Sequence, residues 1–205
     1  NTMYLSELQM ATKNTYKGFD FDNIWKLDGN IGYPYPILRN VEHKEFEGDG
    51  EYAGGKGTAY DPYIIKNEKQ LKNITKNMGA HYELANDIEL DGSKDWEPIG
   101  TTPYENFHGS FDGKGHVISN VQIDRKTDKV EAVGLFGYSA GLIKRIGVIN
   151  GSVKLTVTCA EDITNMNGYA GGIVGYNGGV ILMSYNGNKV AAIQAEGCRR
   201  NRRIF

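Results

Sequence analysis

A short apolar template recurs along the chain and constrains its fold more than any other feature. It consists of an apolar residue, two further residues, an apolar residue, one residue and a last apolar residue. The copies are Ala85/Ile88/Leu90, Ile118/Val121/Ile123 and Ile143/Ile146/Val148, with a weaker copy at Ile181/Ser184/Asn186. They begin 33, 25 and 38 residues apart. Constant offsets within each step predict a coil that returns to the same place once per repeat.

The spacing inside each copy predicts a strand that bends. Val121 and Ile123, one residue apart, lie on one face of a strand. The two-residue gap before them requires a corner at Asn120, a residue type that tolerates the left-handed conformation. Stacking then places Ile88, Val121 and Ile146 in one internal column, with parallel pairing between coils. The irregular spacing predicts loops mainly at 91–107, 124–132 and 158–169.

The glycine content agrees with many tight corners. The chain has 27 glycines and 5 prolines in 205 residues, and no G-X-Y period indicates collagen. These features predict an all-β fold, a parallel β-helix, or solenoid. Chance matches inside an antiparallel β-sandwich remain the alternative at this point.

The chain divides into four parts. Residues 1–41 form a small N-terminal segment, in which the Ser6–Gln9 spacing predicts a short helix. Residues 42–60 are glycine-rich and are predicted to be a linker. The repeats occupy 61–190, and 191–205 is a tail that matches no coil and ends in an arginine-rich run. Because the chain opens on Asn1 without a signal peptide, we expect a fragment or a processed product.

A helix is predicted over 67–78. Asn67 and Gln70 have the spacing of an N-terminal cap, and Leu71 and Ile74 fall on one face. Gly79 suits the C-terminal stop. A helix here would cover the open first coil, whose backbone groups and apolar surface would otherwise face water.

Two stretches resemble the GLUG repeat. They are Gly134-Leu135-Phe136-Gly137 and Gly172-Ile173-Val174-Gly175. This resemblance implies a right-handed parallel β-helix with a short capping α-helix, in a secreted bacterial surface protein. It also implies that 1–41 is the closing segment of a preceding unit. Proteins with this repeat are adhesin-like, or carry it beside the catalytic domain of a surface peptidase.

Residues suited to catalysis or metal binding do not form a known motif. The candidate carboxylates for a glycan-cleaving pair are Asp87, Glu89, Asp91, Asp95, Glu97 and Asp112. Structural use is the preferred interpretation, and Asp91 to Asp95 departs from EF-hand spacing. The four histidines lack metal-ligand spacing. Cys159 and Cys198 form either one disulfide or two free thiols. We therefore expect no catalytic residues, no metal and no cofactor.

Exposed aromatic residues provide the weak candidates for ligand binding. Trp96, Tyr104 and Phe107 lie in the predicted 91–107 loop, where aromatic rings suit glycans or protein partners. The net charge of −2 and the lack of a long apolar stretch predict neither nucleic-acid binding nor membrane insertion. The sequence predicts an extracellular, non-catalytic structural or adhesive module. The alternative is an accessory β-helix domain of a larger surface enzyme, a peptidase or a polysaccharide-degrading protein.

Overall fold

The computed structural model describes residues 13–27, 36–39, 51–158 and 168–195. These residues form a mostly β structure with parallel sheets and one short α-helix. The all-β expectation is thereby confirmed at this level. The predicted helix near Ser6, both cysteines and the arginine run lie outside the described residues.

Short strands separated by corners make up most of the described chain. The strands are β1 Trp25–Lys26, β2 Ile37–Leu38, β3 Tyr63–Ile65, β4 His81–Leu84, β5 Ile88–Glu89, β6 Ser110–Asp112, β7 Val117–Ser119, β8 Gln122–Thr127, β9 Glu131–Val133, β10 Phe136–Ser139, β11 Leu142–Lys144, β12 Gly147–Val157, β13 Gly168–Ala170, β14 Val174–Asn177, β15 Val180–Leu182 and β16 Tyr185–Gln194. The helix α1 covers Glu68–Lys72, and 3-10 turns cover Lys13–Thr15 and Asn73–Lys76.

Four parallel ladders connect successive passes of the chain. One sheet has the order β3-β4-β6-β11-β15, and a second has the order β5-β7-β12-β16, with β8 also paired to β12. The remaining parallel pairs are β10 with β14 and β9 with β13. Every described strand pair from β3 onward is therefore parallel, whereas β1 and β2 pair antiparallel. This excludes the antiparallel β-sandwich for the described part of the chain.

The observed register confirms one predicted offset and corrects two. Ile143 pairs with Ile181 and Tyr138 with Tyr176, as the offset of 38 predicted. In the second sheet, however, Ile118 pairs with Ile88 and with Val148. The predicted column of Ile88, Val121 and Ile146 is wrong, and the true offset between these passes is 30 residues.

The physical reason for this error is that the same apolar template occurs at two different corners. Ile118/Val121/Ile123 spans the corner between β7 and β8, whereas Ile143/Ile146/Val148 spans the corner between β11 and β12. All six side chains are buried, so the template marks burial at a corner without identifying which corner it is. Loops at corners also vary in length, which changes the spacing between copies.

The left-handed corner predicted at Asn120 is confirmed, with φ of 66°. Asn150, which lies 30 residues later, repeats this conformation with φ of 58°. The β11–β12 and β15–β16 corners use Arg145 and Met183 in the same way, with φ of 52° and 47°. Non-glycine residues in this region are uncommon, so their recurrence shows that the corners have a common geometry.

The glycines that give the GLUG-like stretches their pattern lie at close backbone approaches. A Cβ on Gly137 would lie 2.4 Å from the Gly100 carbonyl oxygen. A Cβ on Gly175 would lie 2.6 Å from the Val133 backbone nitrogen. Because neither contact leaves room for a side chain, the recurring glycines are explained by packing between passes of the chain.

The helix begins where predicted but is shorter. Asn67 Oδ1 accepts a hydrogen bond from the Gln70 N–H at 3.0 Å, which confirms the N-terminal cap. The α-helix ends at Lys72 and continues as a 3-10 turn to Lys76. Leu71 and Ile74 are fully buried. A hydrogen bond of 2.8 Å from the Asp91 N–H to the Glu68 carboxylate joins the helix to the next pass.

Several predicted boundaries fall inside packed elements. Tyr52, in the predicted linker, is buried and stacks on Tyr63 with ring centroids 4.2 Å apart. In the predicted 124–132 loop, β8 continues as regular strand to Thr127. At the other end, β16 continues to Gln194, four residues into the predicted tail. The core itself lies between the ladders, from Tyr52 to Ile173.

Candidate functional site: an outer groove around Arg125

The structure separates the three aromatic candidates. Trp96 is 3% exposed, and its indole N–H donates a hydrogen bond of 3.0 Å to the Leu135 carbonyl oxygen. Phe107 is completely buried and packs on Phe136. Tyr104 alone remains available to a ligand, with 96% of its surface exposed. Both buried rings belong to the core, because the loop folds back onto the adjacent ladder.

Two of the candidate carboxylates, Asp87 and Glu89, bond to the following pass of the chain. Asp87 accepts a hydrogen bond of 3.0 Å from the Val117 N–H and contacts the His116 ring. Glu89 accepts one of 3.0 Å from the Asn120 amide. These bonds join residues 29 to 31 positions apart, so they link neighbouring passes of the chain.

Asp112 is the most deeply placed of these carboxylates. Its side chain is 13% exposed and forms ion pairs with Lys144 and Arg145. Burial alone would raise the pKa of Asp112, but bonding to Arg145, the Lys114 N–H and the charge of Lys144 lower it. Asp112 therefore stays ionised and is suited to a structural role rather than to that of a proton donor.

Asp91 is bonded within its own turn. Its carboxylate accepts hydrogen bonds from the Ser93 hydroxyl at 2.6 Å and N–H at 3.1 Å, and contacts the Lys94 ammonium at 2.9 Å. These bonds lower the pKa of Asp91 to about 2. Lys94 and Ser93 thus occupy the oxygen atoms that a calcium ion would require.

One concave surface of the described residues is an outer groove of about 290 Å³. Its lining comes from the stretch before Thr101, from the end of β8, from the turn at Lys129 and Val130, and from β9. The residues that line it are Glu97, Pro98, Thr101, Arg125, Thr127, Lys129, Val130, Glu131 and Ala132. We call this surface the Arg125 groove.

Arg125 organises the charges of this groove. Its Nε donates a hydrogen bond of 3.0 Å to Asp95, one Nη bonds to Glu97, and the other lies 3.6 Å from Glu131 Oε1. Burial would lower the pKa of Arg125, but the bonds to Glu97 and Asp95 raise it. A guanidinium held by three carboxylates is a fixed group, so the hydrogen-bonding surface around it is preorganised.

A tyrosine cluster lies beside the groove. Tyr138 is 4% exposed, and its ring centroid lies 5.7 Å from that of Tyr176, which is 48% exposed. Tyr169 meets Tyr176 edge-on at 5.1 Å. Burial, then the charges of Tyr169, Glu131 and Tyr176, raise the pKa of Tyr138. We call these three tyrosines the tyrosine cluster.

Sequence reasoning missed the Arg125 groove because the register between the passes that form it was misassigned. With the offset of 30, Asp95 lies next to Arg125, and Asp124 lies next to Lys154. A recurring acid-to-base spacing near 30 residues was the signal in the sequence that could have located the groove. Tyr138 is buried, whereas Tyr176, at the equivalent position of the next pass, is 48% exposed.

The described residues contain no group of three or more metal-ligating side chains suited to a metal ion. Within the same ranges, no helix has the length and hydropathy to cross a membrane.

Stacked parallel ladders with a charged outer groove define this chain as a parallel-β protein, and its relatives are distant. It matches no protein-family model. It is 34% identical over 119 residues to halomucin from Haloquadratum walsbyi, covering 51% of this chain and 1% of that protein. It is 30% identical over 155 residues to a protein from Evansella cellulosilytica named "Putative Gly-rich membrane protein", covering 71% and 17% respectively. The chain thus spans a small part of each relative.

A solved structure resembles part of the chain. It is the crystal structure of a "putative immunoglobulin A1 protease" from Bacteroides ovatus, with 20% sequence identity and a TM-score of 0.48. The match covers 70% of this chain and 62% of that one.

Proposed function

We propose that this chain is a non-catalytic structural and adhesive module of a secreted surface protein. The module is a right-handed parallel β-helix with GLUG-like repeats, located outside the cell. One observation carries this proposal: the parallel ladders stack pass upon pass, and their carboxylates are used to hold neighbouring passes together. Such a scaffold extends by repetition and displays its outer face.

A general rule supports the architecture, and a comparison supports the location. Crossover connections between parallel strands of one sheet are right-handed in about 98% of cases, which favours a right-handed coil. One relative carries "membrane protein" in its name, and it is far longer than the matched region. A repeated module within a long membrane-associated protein suits display at the surface.

The lowered pKa values of the carboxyl groups favour a non-catalytic module over a glycan hydrolase. A glycan-cleaving pair needs one carboxylic acid whose pKa is raised so that it can donate a proton. Wherever the pKa of a described carboxyl group is clearly shifted, hydrogen bonds and cations lower it; these groups are Asp20, Glu68, Asp87, Asp91 and Asp112.

The test is binding of the purified chain to an array of glycans and extracellular-matrix proteins, followed by analysis of the bound glycans for cleavage. We expect saturable binding to at least one ligand and no cleavage product. A folded chain that binds nothing would overturn the adhesive part and leave a passive spacer. Cleavage that disappears when Asp87, Asp91, Asp95 and Asp112 are replaced together would overturn the non-catalytic assignment.

A further inference from the structure

We propose that the Arg125 groove and the adjoining tyrosine cluster together bind a neutral oligosaccharide. This inference rests on the proposed function, because it names the class of ligand that the same module takes. It assigns the binding to a surface that excludes Trp96 and Phe107, which are buried.

The groove and the tyrosine cluster share an edge. Ala132 lines the groove, and its register partner on the neighbouring strand is Tyr169. Glu131 also lines the groove and is near enough to Tyr138 for its charge to affect that hydroxyl. A ligand in the groove therefore lies next to the strand that carries Tyr169.

The charges of the groove favour a neutral ligand. The lining contains two carboxylates, Glu97 and Glu131, and two cations, Arg125 and Lys129. Asp95 adds a third carboxylate on Arg125, so that guanidinium is already compensated and has little attraction left for a sulfate or carboxylate. The paired groups still present oxygen and nitrogen atoms to the hydroxyl groups of a sugar.

The tyrosine cluster supplies the apolar part of such a site. Tyr176 exposes 48% of its surface, while Tyr138, against which it packs, is buried and holds it in place. A tyrosine ring offers a rigid face to the C–H groups of a sugar, at a low cost in side-chain entropy. At about 290 Å³ the groove is at the small end of ligand pockets, which suits a short stretch of saccharide.

The experiment is titration of the full chain with neutral oligosaccharides and, in parallel, with sulfated and uronic-acid ones. Tyr176→Ala removes the exposed ring, and we expect about 2- to 12-fold weaker binding of the neutral ligand. Glu131→Gln removes a charged acceptor, and we expect a loss of about tenfold or more. The matched controls are Tyr185→Ala, which removes a tyrosine of similar exposure from β16, and Glu105→Gln on the loop beside Tyr104.

The outcomes separate this inference from the proposed function. The inference is supported if Tyr176→Ala and Glu131→Gln both bind more weakly while both controls bind with the affinity of the parent chain. The melting temperatures of all four variants must match that of the parent. Binding only to acidic glycans or only to matrix proteins overturns the inference while the adhesive function stands. Binding of a neutral glycan that is unchanged in both Tyr176→Ala and Glu131→Gln also overturns it. A folded chain that binds no ligand at all overturns both proposals.

Discussion

A disulfide between positions 124 and 154 would test the observed register directly. Asp124 on β8 and Lys154 on β12 are register partners, and their side chains meet on the outer surface at 3.3 Å. Neighbouring strands lie about 4.8 Å apart, within the Cα separation of roughly 4.4–6.8 Å that a disulfide allows. We therefore expect Asp124→Cys with Lys154→Cys to oxidise readily, in a background where Cys159 and Cys198 are serine.

The expected stabilisation follows from the length of the loop that the bond closes. Positions 124 and 154 are 30 residues apart, and closing a loop of this length reduces the entropy of the unfolded chain by the equivalent of about 3.5 kcal/mol. For a domain of this size, that corresponds to a rise of about 7–14 °C in melting temperature. Loss of the exposed Asp124–Lys154 ion pair affects the oxidised and reduced forms alike, so their comparison isolates the disulfide.

The assay is thermal and urea unfolding of the oxidised and reduced double variant. The matched control joins Asp124→Cys to Ile149→Cys, a pair at the offset of 25 residues that the sequence pattern suggested. We expect no disulfide in the control, because Ile149 pairs with Ser119 and with Gly187. Failure of the 124–154 pair to oxidise, or ready oxidation of the control pair, would refute the register of 30 residues.

Three further substitutions test other parts of the structure. Trp96→Phe removes the indole hydrogen bond to the Leu135 carbonyl, which keeps the Ile99 N–H as a donor, and urea unfolding should show a loss of about 0.5–1.5 kcal/mol. Asp112 has a pKa below its ordinary 3.8, so its ion pairs stabilise the fold above that pH and are lost as pH falls through the lower folded value. Asp112→Asn should therefore lower the melting temperature at pH 7, and equal losses at pH 7 and well below pH 3.8 would contradict this. Replacing Met183, whose φ is 47°, by glycine should raise the free energy of unfolding by about 1 kcal/mol. Leu182→Gly in β15 should lower it in the same unfolding assay.

The parts of the fold that depend on local chemistry could be predicted from the sequence. Asn67 and Gln70 identified the helix start, since a cap is a contact between near neighbours. Asn120 identified a left-handed corner, since asparagine tolerates that backbone. The offset of 38 was correct because the two GLUG-like stretches, which begin at Gly134 and Gly172, are 38 residues apart, as are the last two copies of the apolar template.

The features that depend on the register could not be predicted in this way. Ile118 and Val148 contact each other, but the template aligned Ile118 with Ile143 instead. An apolar triplet reports burial, and every corner of a closed coil buries apolar residues. The burial of Trp96 and Phe107 could not be predicted either, because the sequence of a loop does not show whether the loop folds back onto the neighbouring ladder.

Charged pairs help to select the register between neighbouring passes, which the apolar columns alone do not determine. A slip of two residues between passes would keep the apolar side chains on the same face and against other apolar neighbours, so the apolar columns discriminate only weakly against it. Such a slip would also separate Asp95 from Arg125 and Asp112 from Arg145, and the partly buried Asp112 would lose part of its charge compensation. The bonds that select the register also hold Arg125 rigidly between Asp95, Glu97 and Glu131. A preorganised outer groove is thus a direct consequence of how this stack specifies its own alignment.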